Sequence, residues 1–145
     1  MRLISTILFV VLMAIAALHA YWGVGGLWPA ASERELIDTV IGSPGFVRMP
    51  PAWMTFTVVA LLLIAGALAL SASGVLPLGW EWLARIGAGG VALVFLARGV
   101  SGYLLPMRPG IELTEPFATL DVTLYSPLCL ALGLGFAIVA AAGRR

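Results

Sequence analysis

Four long apolar runs constrain this chain more than any other feature. They cover residues 3–22, 53–72, 82–105 and 117–142. A run of about 20 apolar residues is long enough to cross a bilayer as an α-helix, which satisfies every backbone polar group internally. Each run is closed by residues that stop helices or anchor at interfaces. Gly23, Gly25, Gly26 and Pro29 follow the first, Pro50, Pro51 and Trp53 introduce the second, and Gly74 and Pro77 follow it. Pro106 and Pro109 follow the third. Only 10% of the residues are charged and 61% are hydrophobic, against roughly 25% charged in a soluble domain. The chain is therefore expected to be all-α: one four-transmembrane-helix bundle over residues 1–145, a polytopic membrane protein.

The first run has the basic start of a signal peptide (Arg2), but it is longer than a usual signal core. Ala17-Leu-His-Ala20 is a poor cleavage site, so a retained span is expected. The arginines set the orientation. With both termini cytoplasmic, Arg2, Arg85, Arg144 and Arg145 lie inside. Arg34, Arg48 and Arg108 lie outside among Glu33, Glu35, Asp38, Glu112 and Glu115. The expected location is the cell membrane, a bacterial inner membrane. In the long first loop, Ser32-Glu-Arg-Glu35 has capping-box spacing and Gly42 is a suitable stop. This predicts a short amphipathic helix over 33–41. It is read as resting on the membrane surface or the bundle, in preference to acting as a lid over an outer cavity.

What the chain lacks narrows its chemistry. It has no Lys, so no Schiff base with retinal or pyridoxal can form. One His cannot supply a bis-His haem or a multi-His zinc site. Cys129 is the single Cys, which leaves no disulfide within the chain and no redox pair. Cys129 and Ser126 lack the cationic or basic setting that activates a nucleophile. No metal, cofactor or catalytic residue is assigned. A net charge of +1 without a basic tract argues against nucleic acid.

Apart from Glu81 and the flanking arginines that set the orientation, three strongly ionisable residues fall within or at the edges of the runs: His19, Arg98 and Asp121. Such groups are costly in hydrocarbon and by default mark function. All three fall in the same half of the membrane, the outer half in this orientation. Asp121 and Tyr125 share a helix face, as do Arg98 and Gly102, with Tyr103 beside them. His19 and Trp22 are three apart. Pro127 removes a backbone donor and frees the Thr123 carbonyl, which predicts a bend below Asp121 and Tyr125 that Ser126 helps to satisfy. A structural Arg98–Asp121 pair is the leading explanation. The sharper reading is a ligand site lined by His19, Trp22, Arg98, Tyr103, Asp121 and Tyr125.

Helices in lipid need small residues to approach closely. Ala84, Ala88 and Ala92 beside Gly87, Gly89 and Gly90, then Ala65 and Ala69, then Gly133, Ala137 and Ala141 supply such stripes. They serve packing within the chain or between copies.

Leu18-His-Ala-Tyr-Trp-Gly-Val-Gly-Gly26, Arg98-Gly-Val-Ser-Gly-Tyr103 and Phe117-Ala-Thr-Leu-Asp-Val-Thr-Leu-Tyr-Ser-Pro-Leu-Cys129 carry a family resemblance. With them the chain resembles a family of small bacterial four-span membrane proteins known only as a domain of unknown function. The resemblance covers nearly the whole chain and implies the four-span architecture but no activity. The functional expectation is a membrane protein that binds a small amphipathic ligand, lipid or quinone-like, in the polar pocket. The alternative is a structural or accessory subunit that pairs with itself or with a membrane partner. An intramembrane enzyme using His19 is the weaker third reading, and it needs His19 within reach of Asp121 or of a shared substrate.

Overall fold

The computed structural model describes residues 1–142. Arg144 and Arg145, which count toward the orientation, lie outside the described residues. Helix α1 spans Arg2–Gly23, α2 Glu33–Val40, α3 Ala52–Ala72 and α4 Glu81–Leu104. A 3-10 turn, Leu105–Met107, extends α4. The last long helix is α5 (Phe117–Leu120), a π turn (Asp121–Tyr125) and α6 (Ser126–Ala141) in succession. Among the described residues there is no strand. Four helical segments, Arg2–Gly23, Ala52–Ala72, Glu81–Met107 and Phe117–Ala141, are long and apolar enough to cross a membrane. The chain is a multi-pass membrane protein.

The helix limits follow the apolar runs closely because the same residues set both. Pro51 precedes α3, where its missing amide costs no helical bond. Ser73 and Gly74 close α3, and Gly74 has φ +70°, a conformation glycine adopts without steric cost.

Successive long helices pack antiparallel. On α1 and α3, the Ser5 and Ser73 hydroxyls meet at 2.7 Å, while Gly23 lies against the Phe56 ring. On α3 and α4, Arg85 Nε donates to the Ala72 carbonyl at 3.3 Å. On α4 and α6 the contact is reciprocal: Leu130 of α6 fills the space over Gly99, and Leu96 of α4 fills the space over Gly133. Leu8 of α1 covers Gly135 and closes the ring between α1 and α6.

The side-chain distribution differs from that of a soluble helical protein. Ala69 and Ala88 are fully buried, whereas Leu93, Val94 and Leu61 are among the most exposed residues. Helices immersed in lipid gain little by hiding Leu from it, so small residues that let backbones approach share the interior with Leu12 and Phe136.

The small-residue stripes are used selectively. Ala65, Ala69, Ala84, Ala88, Ala92 and Gly133 are buried. Gly89 and Gly90 face open space, and Ala141 is exposed. The last three do not contribute to packing within the chain, because they lie on faces turned away from the neighbouring helices.

Gly99→Ala and Gly133→Ala should each destabilise the fold by about 1–3 kcal/mol. Each added methyl would meet a leucine side chain at 2.7 Å and that leucine's backbone nitrogen at 3.0 Å. Gly89→Ala should be neutral or stabilising by up to about 1 kcal/mol through helix propensity. Thermal unfolding in detergent reads the order, and a Gly89→Ala loss as large as that of Gly99→Ala would show that these glycines do not set the α4–α6 approach.

Candidate functional site

One end of the helices carries His19, the Arg98–Asp121 region and the two longer loops. Helix α2 lies across this end. Ser32 caps it by accepting the Glu35 amide at 3.2 Å. Glu35 reaches back to the Ala31 amide at 2.9 Å, one residue beyond the usual capping-box partner. Leu36 and Ile37 are buried, so α2 packs down on the protein, against α5. Gly42 ends it with φ +68°, and a side chain there would strike the Phe117 ring. Two more bonds hold the element: the Thr114 amide donates to the Gly42 carbonyl at 3.0 Å, and the Tyr125 hydroxyl donates to the Thr39 carbonyl at 3.1 Å.

Arg98 and Asp121 form an ion pair across α4 and the π turn, Nη2 to Oδ1 at 2.6 Å. The Asp121 side chain is only 4% exposed, but that of Arg98 is 39% exposed. Ser126 Oγ also donates to Asp121 Oδ1, at 3.3 Å. Gly102 permits this approach. A Cβ there would collide with Ser126 Oγ and lie 2.7 Å from Asp121 Oδ2 and 3.1 Å from Arg98 Nη1. The room that Gly102 leaves is therefore occupied by the pair itself.

The π turn explains how Ser126 reaches the carboxylate. Residues five apart do not share an α-helical face, but the wider turn brings them into line. The Ser126 amide donates to the Asp121 carbonyl, one residue further back than in an α-helix. Continued by one residue, that register would pair position 127 with the Val122 carbonyl, and Pro127 has no amide hydrogen. The Tyr103 hydroxyl from α4 supplies the missing donor to Val122 at 3.1 Å. The expected disturbance at Pro127 is present, with two differences. The bridged carbonyl is that of Val122 instead of Thr123, and the Ser126 side chain serves Asp121 instead of the backbone. Both follow from the one-residue register shift.

His19 lies elsewhere. Its Nδ1 is 2.8 Å from the Ile15 carbonyl, so Nδ1 carries the proton and donates. Its ring lies 5.1 Å from that of Trp22, whose Nε1 donates to the Trp28 carbonyl at 2.8 Å. His19 and Trp22 line a cleft of about 250 Å³ together with Met49, Met54 and Thr55. Arg98 and Asp121 line a second cleft of about 390 Å³, walled by Leu105, Leu113 and Phe117. Val40 and Ile41 contribute to both clefts.

The structure thus brings Arg98, Asp121, Tyr103 and Tyr125 around the π turn and sets His19 and Trp22 in the neighbouring cleft. The Trp22, Tyr103 and Tyr125 donors all end on backbone carbonyls. Among the described residues, the guanidinium of Arg98 has no acceptor besides Asp121, although it carries five N–H groups. Val40 and Ile41 appear in the sequence only as the apolar side of α2. Leu113 has no sequence signal, since it is one aliphatic residue in an irregular loop. No group of three or more His, Cys, Asp or Glu side chains fit to hold a metal occurs among the described residues.

Gly102→Ala should push the pair apart and cost about 1–3 kcal/mol. Tyr103→Phe should cost about 1 kcal/mol by leaving the Val122 carbonyl unbridged. Both are measurable as shifts in thermal unfolding, and a Gly102→Ala protein as stable as the parent would contradict the close approach described.

No curated protein and no solved structure matches the chain. One family model does, over residues 12–136, most of the length and all of the site residues named above. The chain belongs to the family described as protein of unknown function (DUF3995).

Proposed function

We propose that the protein binds a small amphipathic molecule, lipid or quinone-like, at the Arg98–Asp121 cleft. The observation that carries this reading is the asymmetry of the ion pair. Asp121 is buried and committed to Arg98 and Ser126, while Arg98 is partly exposed with donors to spare. Those donors suit an oxygen acceptor on a ligand. Val40, Ile41, Leu105, Leu113 and Phe117 suit its apolar body. The cleft volume lies within the lower range of small-molecule sites, about 300–1,000 Å³. A π turn beside the site adds support, because such turns recur at functional positions.

The other readings draw less support. An enzyme using His19 needs that residue within reach of Asp121 or of a shared substrate, but its placed nitrogen serves Ile15 and it lines the neighbouring cleft. An accessory subunit acting through small-residue faces would need those faces free, but most of the small residues pack within the chain.

The proposed setting is a bacterial inner membrane with both termini cytoplasmic, which places the site in the outer half. Arg2 and Arg85 then lie inside, and the carboxylate-rich loops lie outside. A periplasm-active reporter fused to the C-terminus should be silent, and an active fusion would reverse the orientation.

Native mass spectrometry of gently solubilised protein should show a retained small molecule. Arg98→Leu should lose it, with an affinity loss of about tenfold or more for removal of a charged donor. If Arg98→Leu keeps the same adduct as the parent, the molecule is not held by this cleft.

A further inference from the structure

We infer that the group recognised by Arg98 is an uncharged carbonyl oxygen, from a glycerol ester or a quinone ring, and not a carboxylate or phosphate. The inference rests on the ligand-binding reading above and adds its selectivity. Among the described residues, Arg98 and Asp121 are the only ionisable side chains lining their cleft, and they meet at 2.6 Å. The positive charge of Arg98 is thus already balanced by a carboxylate that the fold has buried. Two donors, Arg98 Nη2 and Ser126 Oγ, hold Asp121 in place, and the pair with Ser126 fills the space over Gly102. An anionic ligand would therefore enter a site of zero net charge with apolar walls, leaving one uncompensated negative charge in a medium that disfavours it.

The surroundings add to this bias. The two loops at this end, with the pair itself, hold six carboxylates (Glu33, Glu35, Asp38, Glu112, Glu115, Asp121) against four guanidinium groups (Arg34, Arg48, Arg98, Arg108). Arg34 is further committed to Asp38 at 2.9 Å. A neutral carbonyl incurs neither penalty. It accepts a hydrogen bond from the free face of Arg98 and leaves the Arg98–Asp121 pair intact. The free donors of a guanidinium that is already paired suit a neutral acceptor, whereas an unpaired guanidinium would select an anion.

The test uses the full chain in dodecyl maltoside, which carries no ester. Binding of three probes is titrated: decylubiquinone, dioctanoylglycerol and decanoate. The parent should bind at least one neutral probe about tenfold or more tighter than decanoate, and which neutral probe binds tells a quinone from a lipid ester. Asp121→Asn keeps the size of the side chain and an Oδ1 acceptor but releases the charge of Arg98. It should gain decanoate affinity by about tenfold or more, narrowing or reversing the preference. Tighter decanoate binding by the parent would overturn the inference while leaving the ligand-binding reading standing. An unchanged preference in a folded Asp121→Asn protein would do the same. If Arg98→Leu binds every probe as the parent does, the ligand-binding reading falls and the inference falls with it. Should Asp121→Asn not fold, the preference of the parent decides alone.

Discussion

The arrangement at the loop-bearing end depends on one electrostatic requirement: Arg98 and Asp121 lie in apolar segments and must meet. On insertion scales a charged residue at a helix centre costs about 2.5–3.5 kcal/mol, and the 2.6 Å contact offsets that cost for both partners. The contact then dictates its surroundings. Position 102 must lack a side chain, because any Cβ there would enter the space of Ser126 and Asp121. Asp121 must point at α4, which the π turn achieves where a regular helix would turn Ser126 away. The same turn, meeting Pro127, leaves a carbonyl that Tyr103 has to serve. Pair, glycine, π turn and tyrosine bridge therefore form one interdependent unit.

That unit sits at the end of the α4–α6 contact. Gly99 against Leu130 and Gly133 against Leu96 bring α4 and α6 together over successive turns. Gly102 against Ser126 continues the same antiparallel register one turn further on. The apolar and polar parts of the interface are thus in phase. Lipid offers no hydrophobic incentive for helices to associate, so close glycine contacts and a buried ion pair are the means available, and this chain uses both along one seam.

Helix α2 connects the packing to the functional reading. Its buried Leu36 and Ile37 hold it down, while Val40 and Ile41 separate the cleft of His19 from the cleft of Arg98. The tie from Tyr125 to Thr39 joins α2 to the π turn itself. A molecule in the Arg98 cleft would touch α2, α4, α5 and the π turn together.

Much of this was legible along the chain. The limits of the spans, the capped helix after Ser32 and the presence of Arg98 and Asp121 at one membrane level follow from hydropathy, capping residues and helical rise, all of which are local. So does a disturbance near Pro127, since a missing amide hydrogen is a property of one residue. The partner of each polar group was less legible. Ser126 was expected to serve the backbone and serves Asp121. Gly102 shares a helix face with Arg98, but only the packed helices show that the pair and Ser126 fill the space over it. His19 lies at the same end of the helices as Arg98 but lines another cleft. Sequence alone determined that this is a four-span helical chain with costly polar groups gathered at one end, because apolar length and breaker residues act within a single helix. Tertiary structure decided which groups meet and which donors remain free, because a one-residue shift into a π turn and the approach of two helices over glycine are set only when separate segments pack together.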